Sequence, residues 1–277
     1  MACYHPITIK NPYNEKSYMS VPCGKCAACR KKLRDEWFIR LKEEKKVNNA
    51  RFITLTYNEE NIPISIDDDS VIHYNVSKND LQGFFKRMRK TNKFKYFAVS
   101  EYGSEGRPHY HLILFSKKRI DIEKYWKYGF VYDENAGDRS LKYVCKYLLK
   151  GSNVPVGSNP NFMICSKRPA IGMDYIKVND EELDRRISEP IYKINNYNYP
   201  LPRYYRKKFY DRLDDKGKER KELLCEEMVE NKVNPLWKKF LKKNPGNLDQ
   251  FKNWCRIQEG KDVQQQKIIN NGKTEIY

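Results

Sequence analysis

A chain of 277 residues can hold one large domain or one domain with appendages, and its formal charge of +18, from 54 Lys and Arg against 36 Asp and Glu, asks for a polyanionic partner. Hydrophobic residues make up 39%, but the 13% aromatic share, with 21 tyrosines, can still fill a core. No apolar run approaches the ~20 residues of a membrane span and no signal peptide precedes the first motif, so a membrane role is excluded and a soluble, intracellular protein expected. Basic residues recur beside tyrosines, as in Arg203-Tyr204-Tyr205-Arg206-Lys207-Lys208. That mixture favours single-stranded nucleic acid, where bases can stack. A merely soluble basic protein is the competing reading, and charge alone does not choose between DNA and RNA.

The cysteines come first. Cys3, Cys23, Cys26 and Cys29 lie within the first thirty residues, whereas Cys145, Cys165, Cys225 and Cys255 are scattered singly. Without a secretory signal, clustered thiols read as metal ligands rather than disulfides. Val21-Pro22-Cys23-Gly24-Lys25-Cys26-Ala27-Ala28-Cys29 holds two CxxC steps that share the middle cysteine. Thiolates so spaced can converge on one tetrahedral Zn²⁺, with Cys3 or His5 as fourth ligand. Free thiols or an iron–sulfur cluster are the alternatives, although no Cys-Pro follows as in the ferredoxin run. A helix is expected from near Arg30 to about Val47, with Leu33, Trp37 and Leu41 in phase.

Arg51-Phe52-Ile53-Thr54-Leu55-Thr56-Tyr57 is β-branched and aromatic and predicts a strand. A loop follows around Pro63 and Asp67-Asp68-Asp69. Ser77 and Asp80 form a capping pair for an amphipathic helix with Leu81, Phe84, Phe85 and Met88 in register. Its polar side carries Lys86, Arg87, Arg89 and Lys90. A hairpin comes next, from Phe94 to Glu101, through a turn with Gly103, Gly106 and Pro108, into a strand carrying His109-Tyr110-His111. Alternation along a strand puts both imidazoles on one face, about 7 Å apart. Antiparallel pairing brings Glu101 beside them, and Glu105, in the turn, is a weaker candidate. Two imidazoles and a carboxylate with open positions suit Mg²⁺ or Mn²⁺ bound to a substrate phosphate. Ordinary strand histidines and a surface Glu101 remain the alternative.

A helix near Asp121–Trp126 and a strand near Lys127–Tyr132 are expected. Asp138 or Ser140 then caps a helix over Leu141–Lys150, with Leu141, Val144, Cys145 and Leu148 buried. Tyr143 and Tyr147 project from its other side, with Lys146 and Lys150 beside them. Packing against a neighbouring element would also account for the two tyrosines.

In order, Phe52-Ile53-Thr54-Leu55-Thr56-Tyr57, His109-Tyr110-His111 and Tyr143-Val144-Cys145-Lys146-Tyr147 resemble the three motifs of HUH endonucleases, the rolling-circle replication initiators. The double-tyrosine motif is similar to the branch found in small single-stranded DNA phages, and closest to the initiators of gokushovirus-type microviruses. Pro22-Cys23-Gly24-Lys25-Cys26, Cys165-Ser166-Lys167-Arg168-Pro169 with Ile171-Gly172, and Leu201-Pro202-Arg203-Tyr204-Tyr205 also resemble that family. The resemblance covers about residues 1–210. It departs at Pro169-Ala170-Ile171-Gly172, where the family often has Pro-Gly-Ile-Gly, and it leaves the last sixty-odd residues unmatched.

The resemblance implies an α+β HUH endonuclease fold. Its five-stranded antiparallel sheet, an RRM/ferredoxin-like palm, is flanked by helices and preceded by the Cys-rich, zinc-like element. The expected divisions are 1–48 (Cys-rich element and helix), 49–155 (endonuclease core), 156–215 (accessory basic and aromatic segment) and 216–277 (charged, helical or flexible). The resemblance further implies nicking of single-stranded viral DNA at a replication origin, with Tyr143 and Tyr147 as nucleophiles and a metal on Glu101, His109 and His111. A 5′-phosphotyrosine and a free 3′-OH result, for host polymerase and helicase in the host bacterial cytoplasm. Lys146 and Lys150 are candidates to steady developing charge or to contact the DNA backbone; Arg107, Lys142, Arg168, Arg203 and Arg206 are candidate DNA contacts. No Gly-x-x-x-x-Gly-Lys loop is present, so a fused helicase is not expected. The competing class is a non-catalytic, zinc-containing binder of single-stranded nucleic acid, which leaves the histidines and paired tyrosines idle. A relaxase or an HUH transposase fits the motif order and tyrosine number less well.

Overall fold

Three long strands, each alternating its side chains between two apolar layers, decide where every helix of the sheet domain lies. The structure, a computed structural model, describes residues 3–10, 18–148, 154–215, 217 and 248–271. In chain order the elements are β1 (Ile7–Lys10), β2 (Tyr18–Val21), α1 (Ala27–Val47), β3 (Asn49–Thr56), β4 (Ile64–Ile66), β5 (Ile72–Tyr74) and α2 (Lys78–Arg89). Then come β6 (Lys95–Tyr102), β7 (Pro108–Ser116), β8 (Val131–Asn135), α3 (Asp138–Lys146), β9 (Met163–Cys165) and a 3₁₀ turn (Met173–Ile176). The remainder is α4 (Asp180–Ser188), β10 (Ile191–Ile194), β11 (Tyr197–Pro200), α5 (Arg203–Tyr210) and α6 (Leu248–Asn271).

The main sheet has five strands in the order β8-β3-β7-β6-β9, all neighbours antiparallel, so β7 with its two histidines is central. This is the expected α+β arrangement of a five-stranded antiparallel sheet with helices. On β7 the even-numbered Tyr110, Leu112 and Leu114 join the layer under α2, with Leu81, Phe84, Phe85 and Met88. The odd-numbered Ile113 and Phe115 join the opposite layer, with Trp37, Phe38 and Leu41 of α1 and Leu141, Val144 and Cys145 of α3. His109 and His111 share that second face by the two-residue period. Truncating Ile113 or Phe84, both fully buried, to Ala should cost about 2–5 kcal/mol. Helix α2 begins as expected, with the Ser77 Oγ accepting from the Asp80 N–H at 3.2 Å.

Several expectations are corrected. Leu33 is 40% exposed while Trp37 and Leu41 are buried, so the apolar stripe of α1 begins one turn later. Residues 121–126 form turns, not a helix. Their apolar Ile122 and Trp126 fall at helical spacing because both reach into the core, and Trp126 Nε1 donates to the Thr56 carbonyl at 2.9 Å. The following strand is later than expected, at Val131–Asn135. Pairing does reach back past it, through Phe130 with Thr56 and Asn58 with Tyr128. It passes Gly129, where a Cβ would stand 2.4 Å from the Thr56 carbonyl oxygen. Helix α3 is capped by Gly137 and ends at Lys146, with Tyr147 as its C-cap, so neither Asp138 nor Ser140 caps it. The loop expected after Pro63 holds the small hairpin β4–β5.

Contacts gather the described residues into two compact units, one from 34–208 and one from 1–33 with 209–277. No helix among the described residues is long and apolar enough to cross a membrane.

Candidate functional site

The strand register assembles the first candidate centre. Glu101 on β6 is directly opposite His109 on β7, and Thr54 on β3 is directly opposite His111. His111 Nε2 lies 3.3 Å from Glu101 Oε2, and the two imidazole planes are 10° apart with centroids 6.5 Å from one another. The carboxylate and both imidazoles are therefore brought together, as the hairpin predicts. Glu105 lies in the exposed turn, away from the strand pairing.

The far nitrogens of both rings are occupied. His109 Nδ1 is 2.8 Å from the Arg107 carbonyl, an acceptor, so Nδ1 carries the proton and Nε2 keeps its lone pair. His111 Nδ1 is 3.0 Å from Thr54 Oγ1. Thr54 is a partner that the sequence alone does not single out, because its role depends on the β3–β7 register. The Gly103–Gly106 turn that delivers Arg107 closes with the Gly103 N–H donating to the Arg107 carbonyl at 2.9 Å. Gly106 takes φ +73, the left-handed region open to glycine.

Helix α3 brings the tyrosines onto His111. The Tyr147 ring stacks on it at 5.1 Å and 15°, and the Tyr143 ring meets it edge-on at 5.5 Å and 80°. Phe52 stacks on the same imidazole at 5.8 Å. The tyrosine hydroxyls are hydrogen-bonded, Tyr147 donating to Tyr143. Burial first, then hydrogen bonds to Tyr143 and Glu101, push the Tyr147 phenol far above its ordinary value. Tyr143 is 43% exposed. It lines an open cleft of about 680 Å³ with Glu101, His109 and His111, walled on the other side by Val154 and Pro155.

The remaining candidates are spread more widely. Lys146, half-buried, closes α3 beside Tyr147, and Lys150 lies outside the described residues. Arg107 is held by protein groups, Glu59 Oε1 at 2.6 Å and the Tyr57 carbonyl at 3.1 Å. Lys142 lies over the Phe38 ring. Arg168 and Arg203 are exposed, whereas Arg206 turns a buried Nε inward.

The second centre is the cysteine cluster. The ligand atoms of Cys3, Cys23, Cys26 and Cys29 all lie within 4.8 Å of one another, which no other set of three or more His, Cys, Asp or Glu does among the described residues. Cys3 Sγ is 3.6 Å from Cys23 Sγ and 3.7 Å from Cys26 Sγ. A tetrahedron with ~2.3 Å zinc–sulfur bonds has edges of about 3.8 Å. The cluster can therefore hold a metal ion. Gly24, at φ +75, lets the chain turn so that the N–H groups of Lys25 and Cys26 both donate to Cys23 Sγ at 3.4 Å. Burial raises the Cys23 thiol, but these N–H groups and the neighbouring thiols outweigh it and lower it to about 7. Burial keeps Cys3 and Cys29 above the ordinary thiol value. The choice between Cys3 and His5 as fourth ligand is decided by placement, since His5 Nε2 sits 2.6 Å from Glu259 Oε2.

Comparison with known proteins follows the same boundaries. Residues 50–152, the segment carrying Thr54, Glu101, both histidines and both tyrosines, match the family of the Replication-associated protein ORF2. Replication-associated protein ORF2 of Spiroplasma virus 4 is 28% identical over 215 residues, covering 67% of this chain and 66% of that protein. Replication-associated protein ORF4 of Chlamydia phage 1 is 25% identical over 223 residues, covering 67% of this chain and 52% of that protein. The chain thus spans just under two thirds of the first relative's length and about half of the second's. No solved structure matches.

Proposed function

We propose that this chain, similar to phage replication-associated proteins in the segment that builds its cleft, is a replication initiator with an HUH endonuclease fold that nicks single-stranded viral DNA at the origin. The observation that carries the reading is the contact of both tyrosine rings with His111, beside Glu101. A non-catalytic binder has no use for that convergence.

The donor set fits a divalent ion. With both Nδ1 atoms engaged, the Nε2 atoms of His109 and His111 and the Glu101 carboxylate are what remain to hold Mg²⁺ or Mn²⁺. Such an ion would supply Lewis-acid polarisation of the scissile phosphate. The chain's own groups do the rest. Tyr143, the tyrosine lining the cleft, attacks first. Its oxygen forms a bond to phosphorus as the P–O3′ bond breaks, and the phenol's proton ends on the departing 3′ oxygen. A free phenol, with a pKa near ~10, is only about 0.1% ionised at neutral pH. The hydrogen bond donated by Tyr147 favours negative charge on the Tyr143 oxygen during attack. Lys146 adds a positive charge at the same end of α3.

Two tyrosines suit a circle that must be cut twice. Once Tyr143 holds a 5′ end, Tyr147 cleaves the regenerated origin, and the new 3′-OH resolves the first linkage. The bond energy is kept throughout, so host polymerase and helicase need supply only extension and unwinding. The cysteine cluster takes a structural Zn²⁺. The setting is the host bacterial cytoplasm.

The test is a denaturing gel with labelled single-stranded circular DNA of the protein's own genome, in Mn²⁺ or in EDTA. A metal-dependent adduct, absent from a Tyr143→Phe/Tyr147→Phe variant, is expected. Adducts that persist in the double variant would overturn the nucleophile assignment, and tight binding with no adduct would favour the binding module.

A further inference from the structure

The role of the C-terminal segment is open at the sequence level, yet α6 meets the cysteine cluster with one carboxylate. Glu259 Oε1 accepts from the Ala27 N–H at 2.9 Å, and Oε2 is 2.6 Å from His5 Nε2. Ala27 follows Cys26 and is the first residue of α1; His5 lies two residues after Cys3. A single side chain therefore ties down both backbone segments that bear the thiols. It also places a negative charge at a helix N-terminus, where unpaired N–H groups favour it. One turn earlier on α6, Cys255 is 1% exposed and packs in a small apolar cluster with Tyr4, Cys26 and Ala28, against which Trp254 also lies.

We propose that α6 is the closing element of the cysteine metal site, with Glu259 as a positioning residue that holds the Cys3 and Cys26 segments in ligating geometry. Metal binding and docking of α6 are then one equilibrium. The inference rests on the cluster's holding a metal and not on the nicking chemistry. Loading the thiolates fixes the two segments that Glu259 grips, so α6 docks more tightly when metal is bound. By linkage, a docked α6 slows metal release. His5 acts through Glu259, not as a ligand.

Full-length protein loaded with Zn²⁺ or Co²⁺ tests this with readouts independent of DNA cleavage. Hydrogen exchange over residues 248–271 should be slowed by Zn²⁺ in the wild type. Glu259→Ala should release Zn²⁺ to a chromophoric chelator about 10–100-fold faster, the range for lost outer-sphere partners. Glu259→Gln, which still accepts from Ala27, should recover part of that loss. The Co²⁺ form should keep its thiolate charge-transfer bands in both variants, with d–d bands altered in Glu259→Ala. Wild-type release rates in Glu259→Ala, or exchange over 248–271 that ignores Zn²⁺, would overturn the coupling. A wild-type protein that binds neither ion would overturn the metal reading beneath it, whatever the outcome of the nicking assay.

Discussion

The two candidate centres are built in opposite ways. The cysteine cluster draws three of its four thiols from a seven-residue run, Cys23 to Cys29, shaped by a left-handed glycine and local N–H to sulfur bonds. The sheet centre draws Thr54, Glu101, the two histidines and the two tyrosines from β3, β6, β7 and the end of α3, and no two of these strands are joined by fewer than five residues. Local spacing can specify a structural metal site, whereas the catalytic arrangement exists only once three strands are in register. A one-residue slip of β7 would send both histidines into the layer under α2. The first centre should thus respond to metal and thiol chemistry, and the second to anything that disturbs the sheet or the α3 packing.

The largest expected effect lies at the sheet centre. Tyr143→Phe should lower first-strand cleavage at least ~10³-fold. Tyr147→Phe should spare the first cut comparatively and block circle closure, which single-turnover cleavage and product analysis on gels can separate. If the two single variants behave alike, the asymmetry between exposed Tyr143 and half-buried Tyr147 has no functional meaning. Thr54→Val removes the group beside His111 Nδ1 while keeping a β-branched side chain, so it should weaken Mn²⁺ binding about 10–100-fold with little change in thermal stability. Calorimetric Mn²⁺ titration and a melting curve read these two quantities.

Cys26→Ser should abolish stoichiometric Zn²⁺ and leave Mn²⁺ affinity at the sheet centre unchanged, by metal analysis of the purified variant. The pH dependence has a defined sign. Cys3 and Cys29 are held above the ordinary thiol value, so their protons must leave when metal binds. Zn²⁺ affinity should therefore rise with pH across about pH 6 to 8, as a chelator competition at several pH values would report. The smallest effect is at Asp138, whose carboxyl is held below its ordinary value by the Lys42 ammonium, with Lys45 adding to it. A depressed carboxyl stabilises the fold above its unfolded value of ~3.9 and loses that contribution as pH falls through the folded value. With the side chain 46% exposed, solvent screening limits Asp138→Asn to about 0.5 kcal/mol or less.

Periodicity carried much of this architecture. The apolar repeats of α2 and the alternation in β3, β6 and β7 are strong because each element buries one continuous face. The pairing of Glu101 with the histidines follows from hairpin arithmetic, and the cysteine spacing announces itself. What escaped the sequence depends on contacts between distant segments. Thr54 becomes a histidine partner only through the β3–β7 register, and Glu259 reaches Ala27 from 232 positions away. The stretch 121–126 misleads for a related reason. Its apolar residues follow a helical spacing, yet they are fixed by core contacts and by the Arg87 side chain, which donates to the Tyr125 carbonyl.

The central claim is that the histidine strand and the tyrosine helix form one nicking centre, and the most direct measurement is the site of the covalent bond. Protein is allowed to react in Mn²⁺ with single-stranded DNA of its own genome, digested with nuclease and protease, and mapped by mass spectrometry. The account predicts a residual nucleotide on Tyr143, with a second population on Tyr147, and none in His111→Ala. A nucleotide on a tyrosine outside residues 143–147, or an adduct that survives His111→Ala undiminished, would contradict it.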